Sequence, residues 1–98
     1  MSKTTIHLLD RLATHLGHAS DYRIARELGV SRASVSKWRV GKTGMSDDMA
    51  VRVAEVVGED PAYVLALIHG EATENAAVRR VYWRIAVQFS GKTRRRTA

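Results

Sequence analysis

The chain of 98 residues contains no cysteine, and this absence excludes two kinds of stabilising site. Without thiols there are neither disulfide bonds nor thiolate metal sites, as expected for a protein of a reducing compartment. Proline and phenylalanine occur once each. No run of eighteen apolar residues is present, and the first ten residues lack the pattern of a signal peptide. The sequence therefore predicts a cytoplasmic protein that makes no use of a membrane.

The residue patterns that accompany catalysis are also missing. Neither a nucleophile elbow nor a metal-ligand spacing occurs. His7, His15 and His18 lie close together in the sequence, but no cysteine or carboxylate completes a ligand set beside them. The glycine-rich loop at 41–44 has neither the spacing nor the preceding strand of a nucleotide-binding loop. We therefore predict that the protein is not an enzyme and binds no metal, cofactor or small-molecule ligand.

Positive charge dominates, with a net +6, and it is concentrated in two parts of the chain. Residues 20–42 hold six lysines and arginines against two acids, and residues 76–98 hold seven against none. Between them, residues 43–75 hold seven acids and one arginine. A protein that places one face against phosphates and turns another away has such a distribution. A charged, solvated surface without a partner is the alternative that composition leaves open.

The stretch DYRIARELGVSRASVSKWRV, residues 21–40, predicts two short helices joined by a turn. Apolar and small residues at helical spacing form one side of the first helix, and Gly29 interrupts it because the turn needs positive φ. Ser31 is placed to cap the second helix. Val35 and Trp38 lie three residues apart on one face of that helix, where they can pack against the first.

This pattern resembles the Cro/repressor-type family of helix-turn-helix proteins. The structural positions agree without a gap: a small residue where the helices cross, a glycine in the turn, and apolar anchors on both sides. The motif core consists of Ala25, Leu28, Gly29, Val35 and Trp38, with Ile24 and Val30 beside it. The resemblance covers roughly residues 4–70 and implies a five-helix bundle that binds double-stranded DNA. A helical hairpin without DNA binding would need similar residues at these places.

The resemblance implies that the second helix of the motif, residues 32–40, enters the major groove. Base reading is then expected of Arg32, Ala33, Ser36 and Lys37, since arginine and lysine donate to guanine and a methyl group contacts thymine. Six further residues are expected at the DNA backbone: Ser20, Tyr22, Ser31, Arg39, Lys42 and Thr43. For the last two, a solvated loop without a ligand is an equal alternative.

The periodicity of the whole chain predicts an all-α fold, and the order of its first five short helices resembles the five-helix Cro/repressor-type bundle, here with an additional C-terminal helix. The first helix is predicted from Thr4 to Leu16 and is ended by Gly17. Its apolar face is Ile6, Leu9, Leu12, Ala13 and Leu16. Ser46 is predicted to cap a helix that Gly58 ends. A fifth helix begins at Asp60-Pro61 and is expected to end at Gly70, so that residues 1–71 form the DNA-binding domain.

One longer helix is predicted over residues 72–89, with Thr73 as its cap. Two apolar faces point nearly opposite ways: Val78, Val81, Tyr82, Ile85 and Phe89 form one, and Trp83 and Val87 the other. Because one docking contact does not cover both, we expect the first to pack on the bundle and the second to join another copy in a homodimer. Alternatively, Trp83 covers the edge of the bundle. Residues 91–98 are predicted to be a disordered basic tail.

Two functions of different classes fit these features. One is a sequence-specific transcriptional regulator of phage or bacterial origin that binds double-stranded DNA in the bacterial cytoplasm, with the nucleoid. The other is a phage assembly or antitoxin-like adaptor in which the C-terminal helix binds another protein and DNA binding is secondary.

Overall fold

The computed structural model describes residues 3–90 and contains six helices and no strand in that range. The helices are α1 Lys3–His15, α2 Asp21–Leu28, α3 Arg32–Arg39, α4 Asp47–Val57, α5 Pro61–Ala72 and α6 Ala76–Phe89. The predicted all-α bundle with an additional C-terminal helix is therefore confirmed. The predicted disorder of residues 91–98 concerns a segment outside the described residues. None of the six helices is both long enough and apolar enough to cross a membrane.

Local side-chain and backbone features set the ends of α2, α3 and α4. The hydroxyls of Ser20, Ser31 and Ser46 each accept a hydrogen bond from an N–H group in the first turn of the helix that follows, which satisfies one donor without an intrahelical partner. Gly29 and Gly58 follow α2 and α4 in the left-handed conformation, with φ of 71° and 83°. The predicted caps at Ser31, Ser46 and both glycines are confirmed.

The core lies between α1 and the four helices that follow it. The buried apolar side chains are Leu8, Leu9, Leu12, Ile24, Ala25, Leu28, Val35, Trp38, Met45, Ala50, Val53, Ala54, Val57 and Val64. In α1 the predicted face was partly wrong, since Leu8 is fully buried whereas Ile6 is only half-buried. The stripe at Thr5, Leu8, Leu9 and Leu12 faces the core, and Ile6 lies on its flank.

The predicted end of α5 at Gly70 was wrong, because the helix continues through Gly70 to Ala72. Gly70 is buried between α5 and α6, and a Cβ atom on it would lie 3.1 Å from the Cβ atom of Tyr82. The glycine therefore permits the close approach of the two helices. It does not act as a left-handed cap.

The predicted start of the last helix was also wrong. Thr73 is the residue that ends α5, and α6 begins three residues later, at Ala76. The cap of α6 is Asn75, whose Oδ1 accepts hydrogen bonds from the N–H groups of Ala77 (2.9 Å) and Val78 (3.1 Å). The hydroxyl of Thr73 accepts from the N–H of Asn75 at 3.2 Å, so it supports the connection that precedes α6.

Helix α6 packs on α5 along a line that differs from the predicted apolar face. Ala86 is buried, and Tyr82 and Phe89 are half-buried, whereas Val78, Val81 and Ile85 are exposed. The buried line is thus rotated toward Ala86. Exposed apolar side chains remain on both of its flanks, including Trp83 (60% exposed) and Val87 (56% exposed).

Candidate nucleic-acid interface

Helices α2 and α3 form a helix-turn-helix whose inner side is buried. Ile24, Ala25 and Leu28 of α2 share one apolar cluster with Val35 and Trp38 of α3. Ala25 is 2% exposed and Trp38 is 7% exposed. Because nearly the whole side chain of Trp38 is buried, it anchors α3 to the bundle. Anchoring of this kind holds the outer side of α3 in one orientation.

The four residues predicted to read bases all lie on the solvent-exposed side of α3. Arg32, Ala33, Ser36 and Lys37 are exposed, while Ser34 between them is half-buried. Within residues 3–90, the side chain of Lys37 makes no hydrogen bond or ion pair. Its ammonium group is therefore available to an acceptor outside the chain.

A cleft of about 450 Å³ lies between the start of α2 and the outer side of α3. It is lined by Asp21, Tyr22, Arg32, Ala33, Ser36, Arg39 and Val40. The structure thus brings together three of the predicted base-reading residues, Arg32, Ala33 and Ser36. It places beside them Tyr22 and Arg39, which were predicted to contact the DNA backbone. Lys42 and Thr43 lie apart from this cleft, beside a second depression that includes Ile68 and Ala72.

The guanidinium of Arg39, a predicted backbone contact, is engaged by two carboxylates. It donates to Oδ1 of Asp10 at 2.6 Å and to Oδ1 of Asp21 at 3.1 Å. Partial burial works against the charged form, but the hydrogen bonds and the negative charges of Asp21 and Asp10 outweigh it and raise the pKa of Arg39 above its ordinary value. Arg39 therefore ties the end of α3 to α1 and to the start of α2.

Tyr22, another predicted backbone residue, contacts two arginines at the rim of the cleft. The Cζ atom of Arg32 lies over its ring, 5.2 Å from the centroid, and that of Arg26 lies 5.9 Å away. Both distances are within the range of a cation–π contact. The ring of Tyr22 on α2 thus contacts Arg32, the first residue of α3.

Ser20 and Ser31, which were predicted to contact DNA, act as the N-terminal caps of α2 and α3. The hydroxyl of Ser31 also lies 3.0 Å from the hydroxyl of Ser34. A capping hydroxyl keeps its own hydrogen and a second lone pair, but its position is fixed by the helix it caps. Both serines lie at helix starts, where free N–H groups suit an anion.

Three residues of this region were not predicted. Val40 lines the cleft with 66% of its surface exposed, Arg26 contacts Tyr22, and Asp10 binds Arg39 across 29 residues of sequence. The spacing of Tyr22 and Arg26 on one helix face was a usable signal. No pattern in the sequence indicated the pairing of Asp10 with Arg39, because it depends on how α1 crosses α3.

The class of protein follows from this geometry: a helical bundle that presents a short, exposed, basic helix from a helix-turn-helix. In agreement, the helix-turn-helix family model matches residues 20–64, from the cap of α2 into α5. The match supports a helix-turn-helix of Cro/repressor type in residues 20–64, a DNA-binding regulatory family that is generally not enzymatic. Searches of curated proteins and of solved structures gave no match.

Proposed function

We propose that the protein is a sequence-specific transcriptional regulator that binds double-stranded DNA, of the phage or bacterial Cro/repressor type. The observation that carries the proposal is the outer side of α3, where exposed donors and a methyl group lie on a helix fixed by Val35 and Trp38. An α-helix fits the major groove of B-DNA, where each base pair presents a distinct set of donors and acceptors.

In this mechanism α3 reads bases and the surrounding loops hold phosphates. Arg32 and Lys37 donate to guanine, Ser36 donates or accepts, and Ala33 contacts a thymine methyl group. Backbone contacts come from Ser20, Tyr22, Ser31, Lys42 and Thr43. Arg39 forms ion pairs with Asp10 and Asp21. Because these carboxylates offset its charge, it orients α3 and attracts a phosphate less than an unpaired arginine would.

We also propose that α6 joins two copies in a homodimer. Trp83 and Val87 are large apolar side chains with more than half of their surface exposed, beside a groove of about 180 Å³ that includes Ala66, Leu67 and Gly70. Covering such a surface is favourable at roughly 25 cal/mol per Å². A dimer would present two copies of α3 to half-sites about one helical turn, roughly 34 Å, apart.

Selection from a random duplex library, followed by affinity measurements against salt, tests the function. We expect enrichment of a two-fold symmetric site that is still bound at about 150 mM salt. Binding without enrichment, with an affinity that collapses as salt rises, would contradict sequence-specific regulation, because counterion release alone would then account for it.

Sedimentation of variants tests the dimer. Trp83→Ala combined with Val87→Ala should shift the protein from dimer to monomer. Val56→Ala is the matched control, because Val56 is an exposed valine (46%) on α4, away from the proposed interface. A wild-type protein that is monomeric both in the absence and in the presence of DNA would contradict the dimer.

The exposed side chains of α6 also favour a second function, that of an adaptor for another protein. In an assembly or antitoxin-like role, Trp83 and Val87 would bind that partner. The result that would favour this function is a Trp83→Ala variant that loses activity while it remains dimeric and still binds DNA.

A further inference from the structure

Tyr22 is an aromatic residue in an exposed position at the edge of the proposed interface. Its surface is 53% exposed, so burial in the core does not account for the ring. What the ring contacts is positive charge, from Arg32 on α3 and from Arg26 on its own helix. The faces of aromatic rings carry partial negative charge and attract guanidinium groups at these distances.

We propose that Tyr22 is a positioning residue that holds Arg32 in the orientation from which it reads a base. The inference rests on the proposed function of α3. Arg32 is the first residue of α3, and side chains of a helix lean toward its N-terminus. The side chain of Arg32 therefore reaches back toward α2, where the ring of Tyr22 receives it.

The contact leaves the hydrogen-bond donors of Arg32 available. A cation–π contact engages the charge of the guanidinium, whereas its five N–H donors point outward in the plane of the group. Within the described residues, Arg32 makes no hydrogen bond or ion pair, in contrast to Arg39 with its two carboxylates. A held guanidinium with unpaired donors is suited to the bidentate contact with O6 and N7 of guanine.

Preorganisation explains why the contact affects specificity. A long, unrestrained arginine loses rotamer freedom when it binds, and a side chain already held near its bound orientation loses less. The benefit is realised only at the base that Arg32 contacts. It does not extend to contacts that any duplex provides.

The test compares two substitutions of Tyr22 in the full chain. Arg32→Ala first identifies the base pair at which discrimination between duplexes is lost. Tyr22→Leu, which removes the ring, should lower discrimination at that same base pair by about two- to fivefold, whereas Tyr22→Phe, which keeps it, should not. In the Arg32→Ala background, Tyr22→Leu should cause no further loss there. The salt dependence should stay unchanged, since no charge is removed.

If the Tyr22→Leu variant kept full discrimination at the base pair that Arg32 contacts, the inference would be overturned while the proposed function would stay intact. If Tyr22→Leu weakened binding to selected and random duplexes equally, without a change in discrimination at that base pair, the inference would also be overturned, and Tyr22 would serve only as the phosphate contact of the proposed function. A wild-type protein without base preference would overturn the proposed function itself. Thermal melts check folding, and Tyr22→Met is a second variant without the ring should Tyr22→Leu fold poorly.

Discussion

The cations near α3 differ in what already binds them, and this difference decides what each contributes to the DNA interface. Arg39 is engaged by Asp10 and Asp21, and Arg23 donates to the carbonyl oxygen of Leu16 at 3.1 Å. Lys37 and Arg32 have no such partner within residues 3–90. The sequence alone ranked these cations by position on the helix. It contained no information on which carboxylates face them.

Lys37→Ala should weaken binding to the selected duplex by about 1–3 kcal/mol, and binding to random duplexes by much less, because a base contact is lost. Affinities for both duplexes measure this. Lys42→Ala is the comparison: as a phosphate contact it should weaken both equally and lower the slope of log K against log salt by about 0.9. If Lys37→Ala weakened binding to both duplexes equally, Lys37 would be assigned to the DNA backbone instead.

Asp21→Asn should strengthen binding to any duplex. It should also steepen the slope of log K against log salt by the amount expected for about one additional phosphate contact. The substitution removes a negative charge that lines the cleft and releases part of Arg39 for a phosphate. Titration of a random duplex at several salt concentrations measures both effects.

Glu74→Gln is the control for this substitution, since it removes the same charge from an exposed position in the connection before α6. An equal gain in affinity for Glu74→Gln would mean that net charge alone is responsible.

At the scale of elements, the helices whose ends are set locally were predicted well. Ser31, Ser46, Gly29 and Gly58 act within one turn of their own position, so the sequence carries the whole signal. The errors fall where tertiary structure or competition decides. At Gly70 the deciding contact is the close approach of Tyr82 from another helix. At the start of α6, two cap residues that are two positions apart, Thr73 and Asn75, compete.

Asn75→Ala should lower the free energy of unfolding by about 1 kcal/mol, because two N–H groups at the start of α6 lose their acceptor. Thr73→Ala is the matched comparison and should cost less, since its hydroxyl accepts one bond outside the helix. Urea denaturation of both variants measures the difference. The reverse order would restore Thr73 as the cap.

At the scale of the whole molecule, one buried acid links α1 to the connection between α4 and α5. Glu59, between α4 and α5, is 9% exposed, and its Oε2 accepts from Arg11 (2.7 Å) and lies 2.8 Å from a ring nitrogen of His7. Arg11 also donates to the carbonyl oxygen of Val57. Since α1 is far from Glu59 in sequence, the pairing was not predictable from local pattern.

Arg11→Ala should lower the free energy of unfolding by about 1–3 kcal/mol, because a buried carboxylate loses its main donor. Arg23→Ala is the control: its pair with Glu27 spans 3.9 Å between half-exposed side chains and should be worth about 0.5 kcal/mol or less. Chemical denaturation at neutral pH compares them. Equal costs would contradict a special role for the buried pair.

The position of α5 between the bundle and α6 has a consequence for the chain as it folds. Leu67 and Gly70 face the place that α6 later occupies, while Val64 belongs to the core of the bundle. Until residues 73–89 have folded against α5, the bundle has an uncovered apolar side. The last helix therefore closes a surface that an incompletely folded chain exposes to chaperones and to neighbouring chains.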